Sequence, residues 1–193
     1  MQNNTNGKYE LKTIGGYDLR EVISTIQKEI RRGNAENSMY WAFELWEGGF
    51  HNYLWKRLKV IANEDIGIAN PQAIVLTHIL AEEFADFLKD EKDGSARLCL
   101  ANAILFLCNG KKTRAADDFQ CVVRREREAG KRLEIPDYAL DKHTVRGRKM
   151  GRGFDHWQKE GCELKDEDTS INQWRERADK LRQKGEGGKL FEY

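Results

Sequence analysis

A chain of 193 residues with 39% hydrophobic and 34% charged side chains has the makeup of one folded domain with decorated ends, or at most two small ones. It is too apolar for a disordered chain and too charged for a membrane protein: its longest apolar run, Leu98 to Cys108, is interrupted by Asn102 and reaches about half of the roughly 20 residues a spanning helix needs. The formal net charge of +1 hides a segregation, with eight basic against four acidic residues from Lys111 to Arg132, five against one from Asp141 to Gly153, then six acidic against two basic from Asp155 to Thr169.

In chain order, residues 1–16 are polar, lack the apolar stretch of a secretory leader, and read as a flexible lead. Asp18 is a cap for a first helix whose Leu19, Val22, Ile23, Ile26 and Ile30 recur at helical spacing, with Arg31 and Arg32 at its carbonyl end and Gly33 as the stop. Asn34 opens a second helix that runs through Trp46 and ends at Gly48-Gly49. A third is predicted from about Asn52 to Asn63, followed by a turn at Glu64-Asp65-Ile66-Gly67. Asn70-Pro71 marks the start of a fourth, because Asn caps and Pro at the first helical position loses no hydrogen bond. That helix reaches about Leu88. A fifth, capped by Ser95 and ended by Asn109-Gly110, is apolar almost all round and belongs in the middle of the domain. A sixth, Thr113 to Ala129, has a modest apolar side of Ala116, Phe119, Gln120 and Val123.

Beyond Gly130 the character changes. The residue before Pro136 avoids the helical region, a short helical turn follows through Tyr138 and Leu140, and the glycines at 147, 151 and 153 argue against a regular helix there. Ile171, Trp174, Ala178 and Leu181 mark a final amphipathic helix, and Gly185 to Tyr193 a frayed end. With no strand ladder in view, the expected fold is all-α: a compact multi-helix bundle of antiparallel helical hairpins with an irregular glycine-rich C-terminal segment. The expected division is a lead at 1–16, a helical core domain at 17–136, and a basic glycine-rich segment, acidic link and C-terminal helix at 137–193.

Five groups of residues, and two absent motifs, bear on function. Neither GxxxxGK[ST] nor GxGxxG occurs, so no ATPase site and no cofactor is expected. The four cysteines form no CxxC pair; Cys99 and Cys108 sit in the apolar run as small core residues, a usage that suits a reducing cytoplasm. The adjacent acids Glu64 and Asp65 suit metal or acid–base work only with a third partner, and otherwise pair with a basic residue or cap a helix. Asp141, His143, Asp155 and His156 have the inventory of a hydrolytic metal site, but a spacing that matches no metal signature.

The basic stretch has a clearer logic. Arg146, Arg148, Lys149 and Arg152 can neutralise phosphates where glycines let the backbone approach, Trp157 with Phe154 offers a stacking surface for an unpaired base, and Lys111, Lys112, Arg114, Arg124, Arg125 and Arg127 extend the patch. The same arginines read equally as partners of the acidic run downstream. A dense aromatic set, including Tyr40, Trp41, Trp46, Phe50 and Trp55, exceeds what one helical pair can hide, and points to a subunit or protein contact as well as to core.

The ordered combination Arg31, Arg32, Gly33, Tyr40, Trp41, Glu47, Gly48, Gly49, Arg57, Ile61, Ala62, Glu64, Asp65, Gly67, Asn70 and Pro71, within Ile26–Ile74, resembles the helical C-terminal part of the bacterial replication-associated recombination ATPases, the MgsA or RarA proteins, which are relatives of the eukaryotic Werner-helicase-interacting protein. Leu133 to Pro136 resembles the family's Leu-Glu-Val-Pro element and Lys149 to Gly153 its later glycine-rich segment, whereas the rest of the tail departs from the pattern. The family's ATP-binding and lid domains precede this region and nothing here resembles them, so ATP hydrolysis is not carried over. The resemblance implies a helical fold, self-association with a tetramer as the expected size, and work near stalled forks or single-stranded gaps. The expected partners are copies of the chain, DNA, and the replication or single-strand-binding machinery, with no membrane. The leading reading is a non-catalytic replication and repair accessory domain. A purely structural oligomerisation module and a small metal-dependent hydrolase are the alternatives.

Overall fold

The structure, a computed structural model, describes residues 11–184; residues 1–10 of the lead read at 1–16, and the frayed end read at 185–193, lie outside the described residues, while the rest of the lead is held by a bridge between Lys12 and Asp18 and a bond from the Gly15 N–H to Glu44. The chain divides into two compact units, the first ending at Lys131 and the second beginning at Arg132. Among the described residues there is no strand, only a single antiparallel bridge between Lys12 and Asp18, so the fold is all-α.

In the first unit six helices follow one another: α1 (Leu19–Arg32), α2 (Ala35–Glu47), α3 (His51–Ile61), α4 (Gln72–Lys89), α5 (Asp93–Asn109) and α6 (Ala115–Glu128). The ends of α1 are those its sequence predicts. The Asp18 carboxylate accepts from the backbone N–H groups of Arg20 and Glu21 at 2.8 and 3.1 Å, which satisfies two donors that have no partner within the helix. Gly33 closes it at φ 78°, a left-handed conformation that favours glycine. Successive helices pack as hairpins, α1 on α2 and α4 on α5, and α1 also lies against α3 and α5. The core they share is built from Ile26 and Ile30 of α1, Leu45 of α2, Leu58 and Ile61 of α3, Phe84 of α4 and Leu100, Ile104 and Leu107 of α5. The helix that is apolar nearly all round, α5, supplies the largest share of it, as its composition requires.

Three details differ from the sequence expectations, each for a local reason. The predicted turn at 64–67 is a continuation of α3: the chain widens into a π-helix over Ala62–Ile66, passes through a 3-10 turn at Gly67–Ala69, and only then bends. Hydrogen bonds to the side chains of this stretch, described below, hold it in that wider form. Asn70 does not cap α4 with its side chain; its carbonyl accepts from the N–H of Ala73 at 3.0 Å and the helix starts at Gln72. Ser95 lies inside α5, which begins at Asp93.

The second unit has less regular structure: a 3-10 turn at Asp137–Ala139, α7 (Val145–Lys149), α8 (Phe154–His156) running into a π-helix at Trp157–Gly161, a 3-10 turn at Thr169–Ile171, and α9 (Arg175–Lys184). Glycine does not prevent α7. The Thr144 hydroxyl accepts from the N–H of Gly147 at 2.9 Å, and a Cβ at 147 would fall 2.0 Å from the Asp141 carbonyl oxygen. The glycine is there for close backbone approach, not to break the helix. The final helix is shorter than predicted, and Ile171, Trp174 and Leu181 are exposed rather than forming a buried face. No helix among the described residues is long and apolar enough to cross a membrane.

Candidate oligomer and nucleic-acid surfaces

The acidic pair at the π-helix is the centre of a polar network. Arg31 reaches from α1 as a fork, its Nε donating to Asp65 Oδ1 at 2.7 Å and its second nitrogen to Glu64 Oε1 at 2.8 Å. Gln27 Nε2 donates to Glu64 Oε2 at 3.0 Å and Asp65 Oδ2 at 2.9 Å, while its carbonyl oxygen accepts from Arg57 at 2.8 Å. Arg114, at the head of α6, stands 3.4 Å from Glu64 Oε1 and pairs with Asp117, whose carboxyl is held below its ordinary value by that bond and a second from Gln120. The Asp65 carbonyl also accepts from the Thr113 N–H at 2.9 Å. The pair is therefore a fastener: it joins α1, α3 and the head of α6, and every carboxylate oxygen has a donor.

The aromatic residues turn largely inward. Trp55 is 7% exposed and lies edge-on to Phe84, with ring centroids 5.1 Å apart; Trp46 meets the same ring at 5.0 Å. Trp41 and Phe50 are half-buried against the core, with Trp41 between Tyr17 and Tyr40. Of the five aromatic residues singled out in the sequence, only Tyr40 is mostly exposed.

Exposed apolar surface lies elsewhere. Helix α6 buries none of its residues: Phe119 is 71% exposed, and Val122 and Val123 share its side of the helix at i+3 and i+4. Its polar side is laced by pairs of Arg124 and Arg125 with Glu128. On α4 and α5, Val75, Ile79, Leu98 and Leu105 are exposed, and a groove between the two helices is lined by Leu76, Leu80, Leu105 and Phe106 with the amides of Asn70, Asn102 and Asn109. The sequence marked Phe119 and Val123 as a helix face but could not tell that both stay exposed, although the head of α6 packs on the turn at Gly67–Ala69. Amphipathicity reports that a face wants cover, not where the cover comes from.

The basic residues divide into those with internal work and those without. Lys112 Nζ donates to the carbonyls of Cys108 and Gly110 at 2.6 and 3.0 Å, at the end of α5. Arg152 donates to the Asp137 and Leu140 carbonyls at 2.8 and 3.1 Å and to both Asp137 carboxylate oxygens at 2.6 Å, which holds that carboxyl below its ordinary value. Arg148 donates to the Lys142 carbonyl at 3.1 Å. Lys111, Arg146 and Lys149 are exposed and make no hydrogen bond or ion pair among the described residues. The pairs made by Arg124 and Arg125 are solvent-exposed and so are weakly held.

Trp157 sits in a cluster that the sequence only partly revealed. Its ring is 5.3 Å from Phe154 and 5.7 Å from His143, and Lys142 Nζ lies 4.7 Å from the Trp157 ring centre and 4.8 Å from that of Phe154. His143 therefore serves as an aromatic neighbour. With Asp141, Asp155 and His156 it does not assemble the metal site read from the sequence: no group of three His, Cys, Asp or Glu among the described residues is arranged to hold a metal ion. Asp141 instead accepts from the His143 N–H at 2.9 Å, as a turn former. All four cysteines are free thiols, and burial pushes those of Cys99 and Cys108 up.

Comparison with known proteins places this architecture. The family described as MgsA AAA+ ATPase C terminal matches residues 33–167, a span that takes in the glycine-rich segment and also most of the acidic stretch, where the sequence was read as departing from the family pattern. The chain is 35% identical over 142 residues, 70% of its length, to Replication-associated recombination protein A of Bacillus subtilis (strain 168). It is 29% identical over 143 residues to the protein of the same name from Coxiella burnetii, and 27% identical over 143 residues to ATPase WRNIP1 of Dictyostelium discoideum. The matched region spans 31% of each bacterial relative and 16% of the Dictyostelium protein. The fold and the matched span together make the chain a member of the MgsA AAA+ ATPase C-terminal family.

Proposed function

We propose that the chain is a non-catalytic accessory domain of DNA replication and repair that self-associates through α6 and the outer face of α4 and α5, and that holds DNA on the basic part of its second unit. The replication role follows the names of the relatives. The single observation that carries self-association is that α6 buries none of its residues while exposing Phe119, Val122 and Val123. A helix of 14 residues is marginal on its own in water, and its exposed ion pairs add only about 0.2–0.5 kcal/mol each. The network at Glu64 and Asp65 anchors its head but leaves the rest uncovered, so a second copy is the natural cover for the apolar stripe.

Amide exchange tests this. At concentrations that support assembly, the α6 amides should exchange slowly; on dilution they should lose protection while those of α5 keep theirs. Uniformly fast exchange in α6 at every concentration would refute the proposal.

One observation favours the alternative of a purely structural oligomerisation module: Lys112, Arg114 and Arg152 are all committed within the chain. The two readings separate on Arg146 and Lys149, which have no such commitment. Changing both to Glu abolishes DNA binding under the first reading and alters nothing under the second.

A further inference from the structure

The cluster around Trp157 is built in a way that phosphate attraction alone does not require. The loop before α7 is fixed at three points: Asp141 Oδ1 accepts from the His143 N–H at 2.9 Å, the Thr144 hydroxyl donates to the Asp141 carbonyl at 3.0 Å, and Arg148 donates to the Lys142 carbonyl at 3.1 Å. The Lys142 backbone is thus clamped to α7 while its side chain remains a four-carbon lever. That lever places its ammonium in the notch between Phe154 and Trp157, whose rings are tilted at 55° and only half-buried. Behind Trp157 the chain makes room: a Cβ at Gly161 would lie 3.2 Å from Trp157 Cδ1. His143, exposed, meets the indole at 78°.

A cation over partly exposed rings is weakly held, so a ligand that offers both a π-face and an anion can replace it and engage it at once. The π-face takes the ring surface that the ammonium leaves, and the ammonium swings onto the anion. Arg146 and Lys149, on α7 earlier in the same unit, are two further exposed cations with no side-chain hydrogen bond among the described residues. A nucleotide of an unpaired strand has this combination of base and phosphate. A duplex does not, because its bases are already stacked on one another.

We infer that Trp157, Phe154 and Lys142 form a single-nucleotide subsite for single-stranded nucleic acid, in which a base stacks on Trp157 and Lys142 moves from the aromatic notch to the adjoining phosphate. This rests on the proposed nucleic-acid role of the second unit and adds to it the strand type and the residue that switches position. Lys142 and His143 are not part of the patch that sequence alone marks out for binding.

The test is titration of the full chain with a short oligothymidylate and with a hairpin duplex of equal length, over a range of salt. Trp157→Ala should weaken oligothymidylate binding roughly tenfold and the duplex much less. Trp157→Phe should recover most of the affinity, which also guards against loss of fold, while removing the part of the expected indole quenching that comes from Trp157. Lys142→Met should reduce the slope of log K against log salt by about 0.7, the value of one phosphate contact on a single strand. If oligothymidylate binding falls with Arg146→Glu and Lys149→Glu but is unchanged in affinity and slope by Trp157→Ala and Lys142→Met, the subsite is wrong and the broader reading stands. If no oligonucleotide binds at low salt, both fall.

Discussion

Asp65 is 2% exposed, yet it is an acid in a helical domain. What makes its burial affordable is the density of donors: Arg31 and Gln27 each donate to it and to Glu64. A buried carboxylate costs several kcal/mol unless paired and hydrogen-bonded, so removing it strands Arg31 and Gln27 in turn. Asp65→Ala is expected to lower the unfolding free energy by about 3 kcal/mol, below the upper values for such pairs because the Arg31 side chain is 30% exposed. Chemical denaturation followed by circular dichroism measures it, and a loss under about 1 kcal/mol would mean that water already does most of this work. The same scale separates the arginines. Arg152 is tied by four hydrogen bonds to Asp137 and Leu140, whereas Arg146 is tied by none, though both lie in one basic run and look alike in sequence.

At the scale of elements, α7 shows how a rule of thumb reverses. Gly147 reads as a breaker, but its lack of a side chain is what lets the turn at Asp141 lie against the helix. Gly147→Ala, a substitution that favours an isolated helix, is expected to destabilise the second unit. Proteolysis should then cut within 132–184 faster than in the wild-type chain, with the first unit unaffected; equal rates would contradict the assigned role. How much was legible follows from the kind of signal each element carries. The ends of α1 were, because Asp18 and Gly33 act through their own backbone neighbours. The π-helix at Ala62–Ile66 was not, because its cause is Gln27 and Arg31, more than thirty residues away in sequence. The aromatic set was legible as a cluster but not as a surface: Trp46 and Trp55 are drawn inward by Phe84, whose position depends on how α4 crosses α3. Lys142 escaped notice because a single lysine between Asp and His carries no pattern; only the fold brings Phe154 and Trp157 to it.

At the scale of the whole molecule, the two units differ in how they are held. The first has a continuous apolar core drawn from five helices. In the second, Leu140 is the one apolar side chain buried among the described residues, and polar ties such as those of Arg152 and Thr144 carry more of the structure. The first unit accordingly suits a scaffold that presents α6 to another copy, and the second a smaller platform that presents cations and rings. The chain covers about a third of its bacterial relatives, and the proposed division of labour concerns this region alone. Its central claim is that α6 is completed by another copy of the chain. Light scattering across a concentration series tests that most directly: the wild-type mass should rise to a multiple of the 22.4 kDa chain, and Phe119→Asp with Val123→Asp should hold it at that of one chain while circular dichroism stays that of a folded helical domain. A wild-type chain that remains a monomer at every concentration, or an assembly untouched by the double substitution, would contradict it.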